Sequence, residues 1–241
     1  MPKHFFFDLD NTLTPSKALI EAAHVPVLKK LGERADITVV SGHGENDIRK
    51  HLTLALEGLY HILGQNGNVA QTKDGRVLWK RPLSQAQKDA ARTFIEKAQK
   101  HLNYTIRDEN DIVEDRGSQI AFSLIGHHEN QVKKDAFDPD QAKRRKLLSD
   151  LVQEVETLKA ANMEIRIAGT TNLDLIELGK NKGYNVPAFI EAMDWKKEDC
   201  IYIGDALFPG GNDETVIGIL PVKAVKNYKE TYLYLEHLLR S

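Results

Sequence analysis

Residues 5–14, FFFDLDNTLT, set two carboxylates, Asp8 and Asp10, directly behind three aromatics. An apolar run of this kind reads as a strand buried on both faces, because such a strand shows no polar alternation. Residues two apart on an extended backbone project to the same side, so Asp8 and Asp10 crowd each other at one strand tip. That crowding costs energy unless a cation sits between them. The pair points to a metal site, a catalytic pair, or both. Three further groups could join them. Ser41-Gly42 ends the run ITVV, and Lys182 stands in GKNKGYNV at the start of a helical stretch. Asp205 ends IYIG, with Asn212 and Asp213 just beyond it in GDALFPGGND. Carboxylates without histidine or cysteine nearby suit a hard cation, and Mg2+ is the default when a phosphate is the other ligand. Lysine and serine suit phosphate oxygens, and an aspartate can attack phosphorus to give an aspartyl-phosphate.

These groups act together only if the fold gathers them. The run FFFDLD is followed by an amphipathic stretch, SKALIEAAHVPVLKKLGE, and a second apolar run, ADITVVSG. A helical stretch, ENDIRKHLTLAL, then leads to HILGQNG. This βαβαβ rhythm predicts a parallel sheet flanked by helices. All strand ends then lie on one edge, which brings the carboxylates, Ser41, Lys182 and the glycine-rich loop together. The segment NVAQTKDGRVLWKRPL reads as a hairpin turning at Asp74-Gly75. Residues 84–102 read as helix, and SQIAFSLIG and MEIRIAGTTNLDLIEL as strands. Between those strands DPDQAKRRKLLSDLVQEVETLKAAN reads as one charged helix, with Asp138 or Asp140 capping its start. Its Lys143-Arg144-Arg145-Lys146 run is a solvated face rather than a nucleic-acid patch. From GYNVPAFIEAM the βα rhythm returns, with CIYIGD and PVKAVKN as strands. The expected organisation is a Rossmann-like α/β core of residues 1–82 and 183–241, interrupted by an α+β cap of residues 83–182.

The chain has 241 residues, 41% of them hydrophobic and 28% charged, with a formal net charge of −2. That balance is ordinary for a soluble globular protein and argues against a general nucleic-acid binder. No signal-peptide pattern is present, and no apolar run approaches the roughly 20 residues needed to span a bilayer. The single cysteine, Cys200, excludes an internal disulfide and fits a cytoplasmic location. No membrane or nucleic-acid partner is expected.

DLDNTLT, Ser41-Gly42, Lys182 and GDALFPGGND resemble the four motifs of the haloacid dehalogenase superfamily, over nearly the whole chain. The inserted section is similar to the α+β cap of the subclass IIB members, which include sugar phosphatases and eukaryotic-type phosphomannomutases. GDALFPGGNDETV and QNGNVAQTKDGRVLW are closest to the phosphomannomutase pattern. The resemblance implies Asp8 as nucleophile and metal ligand, and Asp10 as general acid/base with its backbone carbonyl on the metal. It implies Ser41, Gly42 and Lys182 as the phosphate site, Asp205 as the third Mg2+ ligand, and Asn212 and Asp213 as support. In the cap it implies substrate contacts at Arg116, Lys134, Asn172 and Asp174. His127 stands where that family has an arginine, and with His128 it also reads as a solvated loop pair.

The reading these residues favour is a Mg2+-dependent phosphatase acting on a sugar phosphate or similar small metabolite. A mutase moving phosphate between two positions of a hexose is the alternative, since the two differ only in what discharges the aspartyl-phosphate. A non-enzymatic binding protein on the same fold is disfavoured by the intact set Asp8, Asp10, Ser41, Lys182 and Asp205.

Overall fold

The computed structural model describes residues 1–104, 106 and 108–240. The chain divides into two compact units, Met1–Arg81 with Lys180–Ser241, and Pro82–Gly179. The first unit opens with β1 (His4–Phe7), α1 (Val25–Gly32), β2 (Asp36–Val40), α2 (Glu45–Leu52) and β3 (Tyr60–Gly64). The strands β4 (Val69–Gln71) and β5 (Val77–Lys80) follow. The inserted unit holds α3 (Gln85–Gln99), β6 (Val113–Asp115), β7 (Gln119–Ser123), α4 (Gln131–Phe137), α5 (Ala142–Asp150), α6 (Val152–Ala160), β8 (Met163–Ala168) and β9 (Asn172–Glu177). The chain then completes the first unit with α7 (Lys182–Ala192), β10 (Cys200–Gly204), β11 (Val222–Ala224) and α8 (Tyr228–Arg240).

Seven strands form the sheet of the first unit in the order β11-β10-β1-β2-β3-β4-β5. The strands from β11 to β3 are parallel, and β4 and β5 add an antiparallel edge. The three phenylalanines show why β1 lacks polar alternation. Phe5 and Phe7 pack with Leu28 and Leu31 of α1 and with Leu235 and Leu239 of α8. Phe6 points the other way, into a cluster with Phe189 and Ile190 of α7 and Tyr202 of β10. Helices on both faces leave only the strand ends open to chemistry. β1 sits between β10 and β2, so the residues after three neighbouring strands share one edge.

The inserted unit is a four-stranded antiparallel sheet, β6-β7-β9-β8. Its alternation separates two faces. Ile120, Phe122, Leu173 and Leu175 pack with Phe94 and Ile95 of α3, while Gln119, Ala121, Ser123, Asn172 and Asp174 project to the opposite side.

Four expectations are corrected. The amphipathic stretch 16–33 is α-helical only over Val25–Gly32, after a 3-10 turn at Ala22–His24. Pro26 fits the first turn of a helix but could not lie inside a longer one. The charged helix is two helices, broken at Leu151, which takes φ −109° and ψ 33°. Its basic run is not wholly solvated. Arg144 is buried, with Nε donating to Asp138 Oδ2 at 2.7 Å and Nη1 to the carbonyls of Ala168 and Gly169. The inserted unit runs from Pro82 to Gly179 rather than 83–182, because Lys182 opens α7 and Asn181 caps it, accepting from the Tyr184 amide. No helix among the described residues is long and apolar enough to cross a membrane.

Candidate active site

β1 ends at Phe7 and delivers Asp8, which is 4% exposed. β10 delivers Asp205, and the loop beyond it returns Asp213, fully buried, to the same place. Carboxylate oxygens of Asp8, Asp205 and Asp213 all lie within 4.8 Å of one another. Gly204 makes this approach possible, since a Cβ there would sit 2.4 Å from Asp213 Oδ2. From α7 the Lys182 ammonium reaches both Asp8 Oδ1 (2.5 Å) and Asp213 Oδ1 (2.7 Å). The helix comes this close because its second residue is Gly183, where a Cβ would meet the Thr215 carbonyl oxygen at 2.1 Å. Tyr202 donates to Asp213 Oδ1 at 2.6 Å, fixing that carboxylate from β10. Thr12 ties the two strand ends together. Its Oγ1 accepts from the Asp205 amide at 3.1 Å and donates to Asp205 Oδ1 at 3.3 Å.

The charges decide what the cluster wants. Three carboxylates against one ammonium leave an excess of two negative charges when all are ionised. Burial, then the neighbouring Asp213 and Asp205, push the Asp8 carboxyl up, while Lys182 opposes the rise. Burial and Asp213 push Asp205 up to about 6. Burial would lower Lys182, yet Asp213 and Asp8 outweigh it and keep the ammonium charged. A divalent cation would answer this imbalance. Asn212, the neighbour of Asp213 in the chain, has a buried Oδ1 without a hydrogen-bond partner among the described residues. An all-oxygen donor set suits Mg2+.

Asp10 lies in a different environment. Its Oδ1 accepts from the Lys17 amide at 2.5 Å, and its Oδ2 pairs with His43 Nε2 at 2.8 Å. Burial would raise it, but His43 and the Lys17 amide outweigh burial and hold it well below the usual carboxylate range. Ser41, at the end of β2, is 2% exposed, and its Oγ accepts from the His43 amide at 3.1 Å. That bond uses the oxygen as acceptor and leaves the O–H able to donate. Gly42 lies between Ser41 and His43 in the same turn before α2.

Of the residues expected in the first unit, Asp8, Asp205, Asp213 and Lys182 are thus in mutual contact or close approach, while Asp10 and Ser41 are joined to each other's turns through His43. Three partners were not foreseen. Thr12 lies inside DLDNT and His43 directly follows Ser41-Gly42, so position alone could have flagged both. Tyr202 alternates with core residues of β10 and carries no such signal.

In the inserted unit Arg116 donates to Glu114 through Nε (3.0 Å) and Nη2 (2.5 Å). His127 is buried rather than solvated, with Nε2 bonded to the Ala121 carbonyl at 3.2 Å and Nδ1 3.7 Å from Glu114. His128 is the exposed member, paired with Asp111. Lys134 is 2% exposed and donates to the His127 carbonyl at 2.5 Å, so it braces its own loop. Asn172 and Asp174 are buried two residues apart on one face of β9.

A family model of haloacid dehalogenase-like hydrolases matches residues 5–208. The chain belongs to this family. Among curated relatives, Phosphomannomutase 1 of Dictyostelium discoideum is 25% identical over 221 residues, covering 86% of this chain and 83% of that protein. Phosphomannomutase 1 of Homo sapiens is also 25% identical, over 86% of this chain and 80% of its own length. Among solved structures, IMP-bound IMP-nucleotidase of Plasmodium falciparum superposes with TM-score 0.70 at 14% identity, covering 100% of this chain and 68% of that one. The phosphatase BT1666 of Bacteroides thetaiotaomicron gives TM-score 0.62 at 14% identity, covering 98% and 95%. At these identities the structural likeness speaks for the α/β fold.

Proposed function

We propose that this haloacid dehalogenase-like hydrolase is a Mg2+-dependent phosphatase that hydrolyses a phosphorylated sugar or similar small metabolite through an aspartyl-phosphate. The observation that carries this reading is Asp8, buried at a strand end, held by Lys182 and crowded by Asp205 and Asp213. A structural carboxylate gains nothing from that crowding, whereas a nucleophile beside a cation site needs it. Asp10 is held ionised in the free protein, so it takes up a proton from solvent as the phosphate dianion binds beside it. The Asp8 carboxylate then attacks phosphorus, and the bond to the leaving oxygen breaks while Asp10 gives that oxygen the proton. Asp10 then takes a proton from water as the water attacks phosphorus. The Asp8–phosphorus bond breaks, returning the carboxylate and inorganic phosphate. Lys182, Ser41 and the Gly42 backbone hold the phosphoryl group, and Lys182 offsets its growing charge. Carboxylate oxygens of Asp8, Asp205 and Asp213, the Asp10 carbonyl and Asn212 Oδ1 would hold Mg2+, which supplies charge neutralisation at the phosphate oxygens.

Arg116, Asn172 and Asp174 are the proposed contacts for the part of the substrate away from the reacting phosphate. The similarity to phosphomannomutases favours a second reading, transfer of phosphate between two positions of a hexose. A mutase must also hold a second phosphate. His127 stands in place of an arginine and Lys134 is bound to the His127 carbonyl, which supports hydrolysis instead. A screen of phosphorylated metabolites with Mg2+, read for both free phosphate and isomerised sugar phosphate, separates the two. Phosphate release without isomerisation is expected; a hexose 1-phosphate turned into its 6-phosphate faster than phosphate appears would reverse the assignment.

A further inference from the structure

Both oxygens of the Asp10 carboxylate are engaged, by groups from two different segments. Oδ1 accepts from the Lys17 amide, in the turn that follows β1. Oδ2 meets His43 Nε2, which comes from the turn after β2. The Lys17 contact is main-chain, and Lys17 takes a left-handed φ of 53°, so that turn is set by backbone geometry. The His43 contact is a side chain, and its placement is over-determined. The His43 amide donates to Ser41 Oγ, the ring sits edge-on to His51 at 5.0 Å, and the side chain is 14% exposed. A carboxylate free to rotate at this strand end would have little reason to keep the orientation that proton transfer needs. Two donors on two oxygens remove that freedom.

We propose that His43 is a positioning residue that fixes the Asp10 carboxylate for proton transfer to and from the substrate oxygen. This rests on the phosphatase reading above, in which Asp10 is the general acid/base. His43 touches neither nucleophile nor phosphate site through its ring. It acts through Asp10, and it joins the turn that carries the serine to the turn that carries the acid. Its chemistry is specific to a ring nitrogen or an amide at that reach. Glutamine can place its Nε2 donor near the same point; phenylalanine keeps the ring and loses the bond.

The test uses two phosphate esters and two variants of the full chain with Mg2+. Nitrophenyl phosphate has a leaving group that departs without a proton, whereas phenyl phosphate needs one. His43→Phe should lower kcat/KM on phenyl phosphate about 10- to 100-fold, the loss typical when an outer partner of a site residue goes. It should change kcat/KM on nitrophenyl phosphate far less, because kcat/KM reports the attack by Asp8 and not the water step that both esters share. His43→Gln should restore most of the loss on phenyl phosphate, and should the phenylalanine variant fold poorly the glutamine variant decides alone, by a phenyl-to-nitrophenyl ratio close to that of the wild type. Equal loss on both esters, or a glutamine variant as selective against phenyl phosphate as the phenylalanine one, would overturn the proposal while leaving the phosphatase reading standing. Wild-type protein that releases phosphate from neither ester and from no phosphorylated metabolite of the screen would overturn that reading itself, and the role of His43 with it.

Discussion

Asp8 and Asp10 are separated by one residue and meet opposite surroundings. Burial and two neighbouring carboxylates push Asp8 up against the pull of Lys182, while His43 and the Lys17 amide hold Asp10 low. Asp8 must be ionised to attack, which Lys182 and a cation at the carboxylate cluster favour, and Asp10, held ionised in the free protein, must take up a proton before it can act as an acid. Asp8→Asn should reduce turnover to background while the circular dichroism spectrum and melting curve stay cooperative; phosphate release above a trace would reassign the nucleophile. Asp10→Asn should cost about 10²–10⁴-fold on an ester with a poor leaving group, the usual contribution of proton transfer. In kcat/KM, which reports the attack by Asp8, the variant should recover as the leaving group improves, and a kcat/KM loss independent of the leaving group would place Asp10 elsewhere in the chemistry.

At the scale of elements, α7 matters through its first residue. Lys182 is fully buried between Asp8 and Asp213. Replacing it with methionine leaves two buried carboxylates unanswered, and breaking a buried pair from one side costs about 3–5 kcal/mol. Urea unfolding of metal-free Lys182→Met should show a loss of that order, and an unchanged midpoint would mean the pair is not held as described. Arg144 and Asp138 pose the same question in the inserted unit, where Arg144→Met strands a buried aspartate and frees the Ala168 and Gly169 carbonyls. Those carbonyls precede Asn172, so lost stability should come with weakened substrate binding. The strands β1, β2 and β10 were readable from their apolar runs, and the residues just past them from their chemistry. The expected helix at 16–33 was not, because its apolar spacing also suits a turn-rich loop wrapped on the core, and only Pro26 hinted where helix begins. Arg144 looked solvated because its three neighbours are charged. Its partner Asp138 was foreseen only as a cap, and it does accept from the Lys143 and Arg144 amides. His43 was legible by position but not by role, since a contact between turns leaves no periodicity.

For the molecule as a whole, one α/β unit carries every residue proposed for phosphoryl transfer, and the inserted unit carries those proposed for substrate choice. Chelation should therefore remove activity, and Mg2+ should restore it and raise the melting temperature by binding the folded state alone. Calcium, which prefers more ligands, should bind yet support little turnover. Full activity in excess chelator would refute the metal assignment. The central claim is that phosphate passes through Asp8 on its way to water. It is met most directly by quenching the protein during turnover of nitrophenyl phosphate, reducing with borohydride, and sequencing the N-terminal peptide by mass spectrometry. An aspartyl-phosphate is reduced to homoserine, so the account predicts homoserine at position 8, absent without substrate. Steady turnover with Asp8 unmodified, or homoserine at another aspartate, would contradict it.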